Sequence, residues 1–172
     1  MPVITRTPRV IIREFLPQEE ELLIGLLKDN RINVDLPKRT EDQMREVFRE
    51  TIADYLQGIK LTRWAIVDAL TGDFIGLALL KYVADEPYKA ELGYVLHLAH
   101  HGKGIATELS KALMVYGFEK MGLAEIFAVT THDNIPSQKV LLKAGLVQGE
   151  HIVRNDLELS FFKITRAAYY NS

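Results

Sequence analysis

The sequence predicts a mixed α+β fold in one domain spanning residues 1–172. Three observations carry that reading. Short β-branched runs alternate with amphipathic stretches of helical period. Two of the runs, Arg63–Val67 and Asp73–Tyr82, are joined by a turn carrying Thr71 and Gly72, so part of the sheet is an antiparallel hairpin. The length, 172 residues with 48% hydrophobic content, supplies one sizeable core and leaves no room for a second.

Taken in order, Arg9-Val-Ile-Ile-Arg13 is β-branched and reads as a first strand, stopped soon afterwards by Pro17. Glu19 to Lys28 suits a short helix, because Leu22, Leu23, Leu26 and Leu27 recur at helical spacing and Asp29-Asn30 ends it. A loop follows from Asn33 to Arg39. Thr40 and Gln43 then form a capping box for a helix over 40–57. Its apolar stripe is Met44, Val47, Phe48, Ile52, Tyr55 and Leu56, and Gly58 stops it. After the hairpin, a loop at Asp85-Glu86-Pro87 leads into a further meander strand, Lys89–Leu96. Ile105–Met121 is helical, with Ala106, Leu109, Leu113 and Tyr116 on one face and Gly122 at its end. Glu125–Thr130 is a short strand, Ser137–Lys143 a short helix stopped by Gly145, and Leu146–Gln148 and Leu157–Ile164 are closing strands. The order is strand, two helices, three strands, helix, strand, helix, two strands, hence about seven strands.

Bulk properties narrow the function. A formal net charge of −2 argues against nucleic acid as a partner. No apolar run approaches the ~20 residues that cross a bilayer, and the start MPVITRTPRV lacks a signal peptide's apolar core. A cytoplasmic protein without membrane partners is expected. Zero Cys excludes disulfides, thiolate metal sites and a cysteine acyl-enzyme, and no Gly-x-Ser-x-Gly elbow offers a serine instead.

Chemistry concentrates between Glu91 and Glu108, ELGYVLHLAHHGKGIATE, where a β-leaning run meets a Gly-x-Gly turn that opens into a helix. Gly102 and Gly104 remove the Cβ atoms that would hold a phosphate away from the backbone, so successive N–H groups can converge on an anion at the helix's positive end. Two better-known phosphate motifs fail. A Walker loop needs Ser or Thr after its Lys, and Gly104 follows Lys103; it also needs Gly where His97 stands. A dinucleotide fingerprint needs a third Gly where Thr107 stands. On these residues alone, a phosphate cradle and an ordinary tight strand-to-helix turn read equally.

His101-Gly102-Lys103-Gly104-Ile105-Ala106, preceded by a strand bearing Glu91, resembles the coenzyme A signature of the GNAT (Gcn5-related) N-acetyltransferases, Arg/Gln-x-x-Gly-x-Gly/Ala. Asp133-Asn134 through Ser137 to Gly145-Leu146 is similar to that family's Asn-x-x-Ser/Ala…Leu-x-x-x-Gly-Phe segment. The opening TPRVIIREF and the pairing of Asn134 with Ser137 resemble one branch, the RimJ/RimL-like ribosomal-protein N-terminal acetyltransferases. The resemblance covers essentially the whole chain. It implies a central, mostly antiparallel twisted sheet flanked by helices, with a splayed strand pair for coenzyme A.

It further implies transfer of an acetyl group from acetyl-coenzyme A, as co-substrate, to an amine by direct attack in a ternary complex. The pyrophosphate would rest on amides from His101 to Ala106, that is His101, Gly102, Lys103, Gly104, Ile105 and Ala106. The pantetheine would pair with the strand ending at Leu96, whose amide, with that of Val95, would polarise the thioester carbonyl. Asn134 would bond the pantetheine and Ser137 would reach the departing sulfur, although both also suit N-capping. Glu91 is the expected general base. The alternative is a strand-edge carboxylate paired with Lys89 or Arg63, with His97 or His132 relaying the proton instead.

Two positions depart from the family. His101 replaces Arg or Gln, weakening side-chain contact with phosphate. Leu141 stands where many members carry a proton-donating Tyr, so the acid must be Ser137, a nearby Tyr or water. No metal is expected: strand and turn spacing aims His97, His100 and His101 apart, and no carboxylate cluster completes a ligand set.

For the acceptor, the branch resemblance implies the N-terminal α-amine of a protein or peptide. The helices over 19–57 would form one wall of the acceptor channel, and Glu19, Glu20, Glu21, Glu41, Asp42, Glu46 and Glu50 would make it acidic, steering a cationic amine. The alternatives are a small-molecule amine (a polyamine, amino acid or aminoglycoside), a non-catalytic acyl-coenzyme A sensor, or a scaffold without cofactor. Monomer and homodimer both stay open.

Overall fold

The computed structural model describes residues 1–33 and 37–172. Among the described residues nine strands form: β1 (Val3–Arg6), β2 (Val10–Arg13), β3 (Arg63–Asp68), β4 (Phe74–Val83), β5 (Glu86–Leu96), β6 (Glu125–Thr130), β7 (Val147–Gln148), β8 (Ile152–Arg154) and β9 (Leu157–Thr165). Five helices accompany them: α1 (Glu20–Lys28), α2 (Glu41–Leu56), α3 (Ile105–Val115), α4 (Ile135–Ala144) and α5 (Arg166–Tyr170). The sheet order is β1-β2-β3-β4-β5-β6-β9-β7, with β8 on β9. Every pairing is antiparallel except β5 with β6. This is the expected mostly antiparallel sheet flanked by helices.

Alternation along the strands splits the core between two faces. Ile66, Ala78, Leu80, Leu92 and Ile126 pack with Leu109 and Leu113 of α3. Ala65 and Leu77, one residue out of phase, pack with Phe15, Leu23 and Leu26 of α1 and Phe48 of α2. The capping box forms as its spacing predicts: Thr40 N–H donates to Gln43 Oε1 at 2.8 Å, and Gln43 N–H to Thr40 Oγ1 at 3.2 Å. The α2 stripe differs in one place. Leu56 is 85% exposed at the helix end. Thr51 is buried instead, because its hydroxyl donates to the Val47 carbonyl at 2.8 Å and leaves no unpaired polar atom.

The count exceeds seven strands because two short pieces carry little periodicity. β1 is an edge strand with no fully buried residue. β8 forms on a tight turn in which Asn155 and Asp156 both adopt positive φ, 50° and 61°, a backbone that Asn and Asp tolerate. The expected loop at Asp85-Glu86-Pro87 shortens to a turn around Asp85, φ 64°. Pro87 then lies in the register shift between Val83↔Glu86 and Tyr82↔Ala90, where its missing N–H interrupts no regular ladder. The helix from Ile105 continues through a π-helical turn, Tyr116–Lys120. The predicted loop Asn33–Arg39 falls partly on residues 34–36, outside the described residues. Among the described residues no helix is long and apolar enough to cross a membrane.

Candidate active site

The site begins where two parallel strands part. β5 and β6 pair only from Lys89↔Glu125 to Glu91↔Phe127, while β5 stays on β4 as far as Leu96↔Gly76. His97 N–H donates to the Ile75 carbonyl at 2.9 Å. Hydrogen-bonded pairs alternate in an antiparallel ladder, so the backbone groups of Tyr94 and Leu96 turn away from β4 toward the opening, and those of Val95 toward β4. Of the two amides expected to face a thioester, geometry leaves that of Leu96.

The cradle lies directly beyond. Gly102 and Gly104 adopt φ +69° and +77°, and Gly104 is the N-cap of α3. The amides of Gly102, Lys103, Gly104, Ile105 and Ala106 have no acceptor among the described residues. They collect at the positive end of an eleven-residue helix. His101 is a correction. Its N–H donates to the Leu98 carbonyl at 3.1 Å, and its Nε2 lies 2.8 Å from the Leu96 carbonyl, so this residue braces the loop instead of contributing an amide. A second brace was not visible in the sequence. Arg9 donates to the Lys103 carbonyl at 2.6 Å through Nη1 and to Glu108 at 2.6 Å through Nε, stapling the entry to β2 to the cradle.

The titratable side chains sort to the two faces of β5. Tyr94, on the α3 side, brings its hydroxyl within 3.4 Å of Ser137 Oγ on α4. Burial raises the Tyr94 pKa, so the phenol keeps its proton at neutral pH. Asn134 Oδ1 accepts from the Ser137 amide at 3.2 Å, the capping half of its expected dual role. Leu141 is buried core. On the opposite face, Glu91 is held by both guanidinium nitrogens of Arg154, at 3.0 and 3.1 Å. Neither expected partner takes it: Lys89 lies nearest Glu125 and Glu86, and Arg63 lies 3.9 Å from Glu50. His97 packs edge-on against Phe74 and lines a cleft of about 570 Å³ with Arg31, Leu98, Ala99 and His100. Burial, and then the neighbouring His100, lowers its pKa, so its imidazole is neutral and able to accept a proton.

Residues 9–147 match the model of a family described as the acetyltransferase (GNAT) domain. The chain belongs to the GNAT acetyltransferase family. It is an N-acetyltransferase, and so an acyltransferase, in keeping with the family resemblance of its cradle and Asn134–Gly145 segment. A Bacillus subtilis protein described as the uncharacterized N-acetyltransferase YoaA is 28% identical over 153 residues, covering 88% of this chain and 86% of that one. Two solved structures share the fold. One, described as a putative ribosomal-protein-serine acetyltransferase from Vibrio cholerae, has a TM-score of 0.79 at 17% identity over 95% of this chain and 97% of its own. The other, a spermidine N-acetyltransferase from Vibrio cholerae in complex with CoA and spermine, has a TM-score of 0.80 at 20% identity over 96% and 100%.

GNAT enzymes use acetyl-coenzyme A as acyl donor, and the residues present suit it. Five free amides at a helix N-terminus match a diphosphate, and an open strand edge at Tyr94 and Leu96 matches a pantetheine arm.

The GNAT acceptor wall departs from expectation. Arg45 reaches Glu20, Glu21 and Glu41, and Lys28 also reaches Glu41. Glu19 pairs with the buried Arg13, Glu46 with Arg49, and Glu50 lies 3.9 Å from Arg63. Among the described residues only Asp42 of the seven acids is without a basic partner. A cavity of about 250 Å³ between α1 and α2 is lined by Lys28, Lys38 and Arg39 against Glu41. The wall's acidity is largely offset from within, and the described charged lining of this cavity is Lys28, Lys38 and Arg39 against Glu41.

Proposed function

We propose that this GNAT enzyme transfers the acetyl group of acetyl-coenzyme A to the N-terminal α-amine of a protein or peptide, by direct attack in a ternary complex. The observation that carries the reading is the open edge of β5, with the Tyr94–Ser137 pair on one face and Glu91 on the other. When bound, acetyl-coenzyme A supplies an activated acetyl group and a sulfur leaving group. The amides of Gly102 to Ala106 hold the diphosphate, and Asn134 faces the pantetheine. Leu96 N–H donates to the carbonyl oxygen as charge develops there. Glu91, oriented by Arg154, accepts the proton of the attacking amine. Ser137, backed by the protonated Tyr94, donates to the departing sulfur, the role that Leu141 leaves vacant. His97 is a second reading for the base, favoured by its neutral imidazole.

Two considerations favour an α-amine over a polyamine. Among the described residues, a wall whose acids are largely paired and a cavity lined by Lys28, Lys38 and Arg39 against Glu41 offer little free negative charge to steer a polycation. The RimJ/RimL-like features, TPRVIIREF and the Asn134–Ser137 pair, point the same way; the likeness to the structure described as a putative ribosomal-protein-serine acetyltransferase is one of fold. The likeness to the spermidine enzyme argues the other way on fold alone, and function follows site chemistry. We place the protein in the cytoplasm, as one domain over residues 1–172. The test is a thiol-release assay with acetyl-coenzyme A across N-terminal peptides, spermidine, free amino acids and an aminoglycoside. Peptides should be the preferred acceptors. Preferred acetylation of spermidine with inert peptides would overturn the acceptor, and no release with any amine despite tight cofactor binding would make the chain a sensor.

A further inference from the structure

Outside the cradle and the open strand edge, three ligand-type side chains from three stretches of chain meet. His132 follows β6, His151 precedes β8, and Glu158 lies on β9. Their donor atoms all fall within 4.8 Å of one another. Glu158 Oε1 is 3.0 Å from His151 Nδ1 and 3.8 Å from His132 Nε2. Bonds of roughly 2.0–2.2 Å to a tetrahedral ion would set neighbouring ligand atoms about 3.3–3.6 Å apart, so the Glu158 distances need only small adjustments. A supporting contact stands behind the cluster. Ser160, buried on β9, lies 2.6 Å from His132 Nδ1. With Nδ1–H donating to that hydroxyl, Nε2 keeps its lone pair on the side of Glu158, the arrangement by which outer partners orient a metal-binding imidazole. The side chains are 38%, 45% and 60% exposed, which leaves an entry path and room for water ligands.

We propose that His132, His151 and Glu158 form a binding site for a borderline divalent first-row cation of the zinc type. Two imidazole nitrogens and one carboxylate oxygen are the donors such an ion takes, with water completing the shell. An ion there ties the segment leading to Asn134 to the β8–β9 hairpin, whose Arg154 holds Glu91. The site thus sets the position of the hairpin whose Arg154 reaches Glu91 of β5.

The test uses tag-free full-length protein, stripped with a chelator and titrated with zinc chloride by calorimetry. Cobalt(II) provides a visible d–d absorption as second readout. One ion per chain is expected, with affinity at least about ten-fold lower in His151→Ala and in Glu158→Gln. Circular dichroism reports whether each variant is folded, and either one suffices if the other is not. His100→Ala, outside the cluster, should bind as the parent does. Absence of binding, or binding that a folded His151→Ala or Glu158→Gln variant retains in full, overturns the site. Neither acyl donor nor amine is present, so that outcome leaves the acetyl-transfer reading untouched.

Discussion

Gly104 has a backbone that other residues rarely adopt, φ +77°, and a Cβ added there would come 3.4 Å from Arg9 Nη2. Gly104→Glu therefore strains the turn by about 1–2 kcal/mol and puts a negative charge where a diphosphate is expected. The folded variant should lose acetyl-coenzyme A binding, measured by calorimetry; unchanged affinity would remove the cradle from the account. Glycines of this kind are legible in a sequence because few other residues adopt that backbone. Arg9, Tyr94 and Arg154 were not, since their partners lie 94, 43 and 63 positions away and only the fold joins them. The proton acceptor is decided at this scale too. Glu91→Gln should lower turnover by roughly 10²-fold while sparing cofactor affinity. If instead the acidic limb of the pH–rate profile disappears in a folded His97→Gln variant and survives in Glu91→Gln, His97 is the base.

Among the elements, α1 and α2 are joined by a charge lock that composition alone misrepresents. Seven acids read as an acidic wall, because a residue count does not show that Arg45 bridges to three of them. Hydrogen bonds from Lys28, then Arg45, hold the Glu41 pKa down at about 2, below its ordinary 4.5. A depressed carboxylate pKa contributes stability that is present above the unfolded value and lost as pH falls through the folded one. Denaturant titrations should therefore show stability falling as pH drops from about 4.5 toward 2, and Glu41→Gln should flatten part of that slope. An unchanged slope would mean that the lock contributes nothing, as many exposed pairs do. Long periodic elements were legible throughout: the hairpin β3–β4, α2 with its cap, and α3. β1, β8 and α5 were not, because three to five residues on an edge carry too little pattern to separate from loop.

For the molecule as a whole, the element order and the glycine turn were enough to indicate the family, while the acceptor depends on which charges meet across α1 and α2. A cofactor that binds only the folded chain should stabilise it by roughly 2–4 kcal/mol at 100- to 1,000-fold excess over its dissociation constant. Cofactor binding at the cradle and the open strand edge is tested by an amide NMR titration with acetyl-coenzyme A. Saturable shifts are expected at Gly102, Lys103, Gly104, Ile105 and Ala106, together with Tyr94 and Leu96 on the open edge of β5, with a weaker response at His101, whose N–H is already bonded to Leu98. Saturable binding that leaves those amides unmoved and shifts residues elsewhere would contradict it.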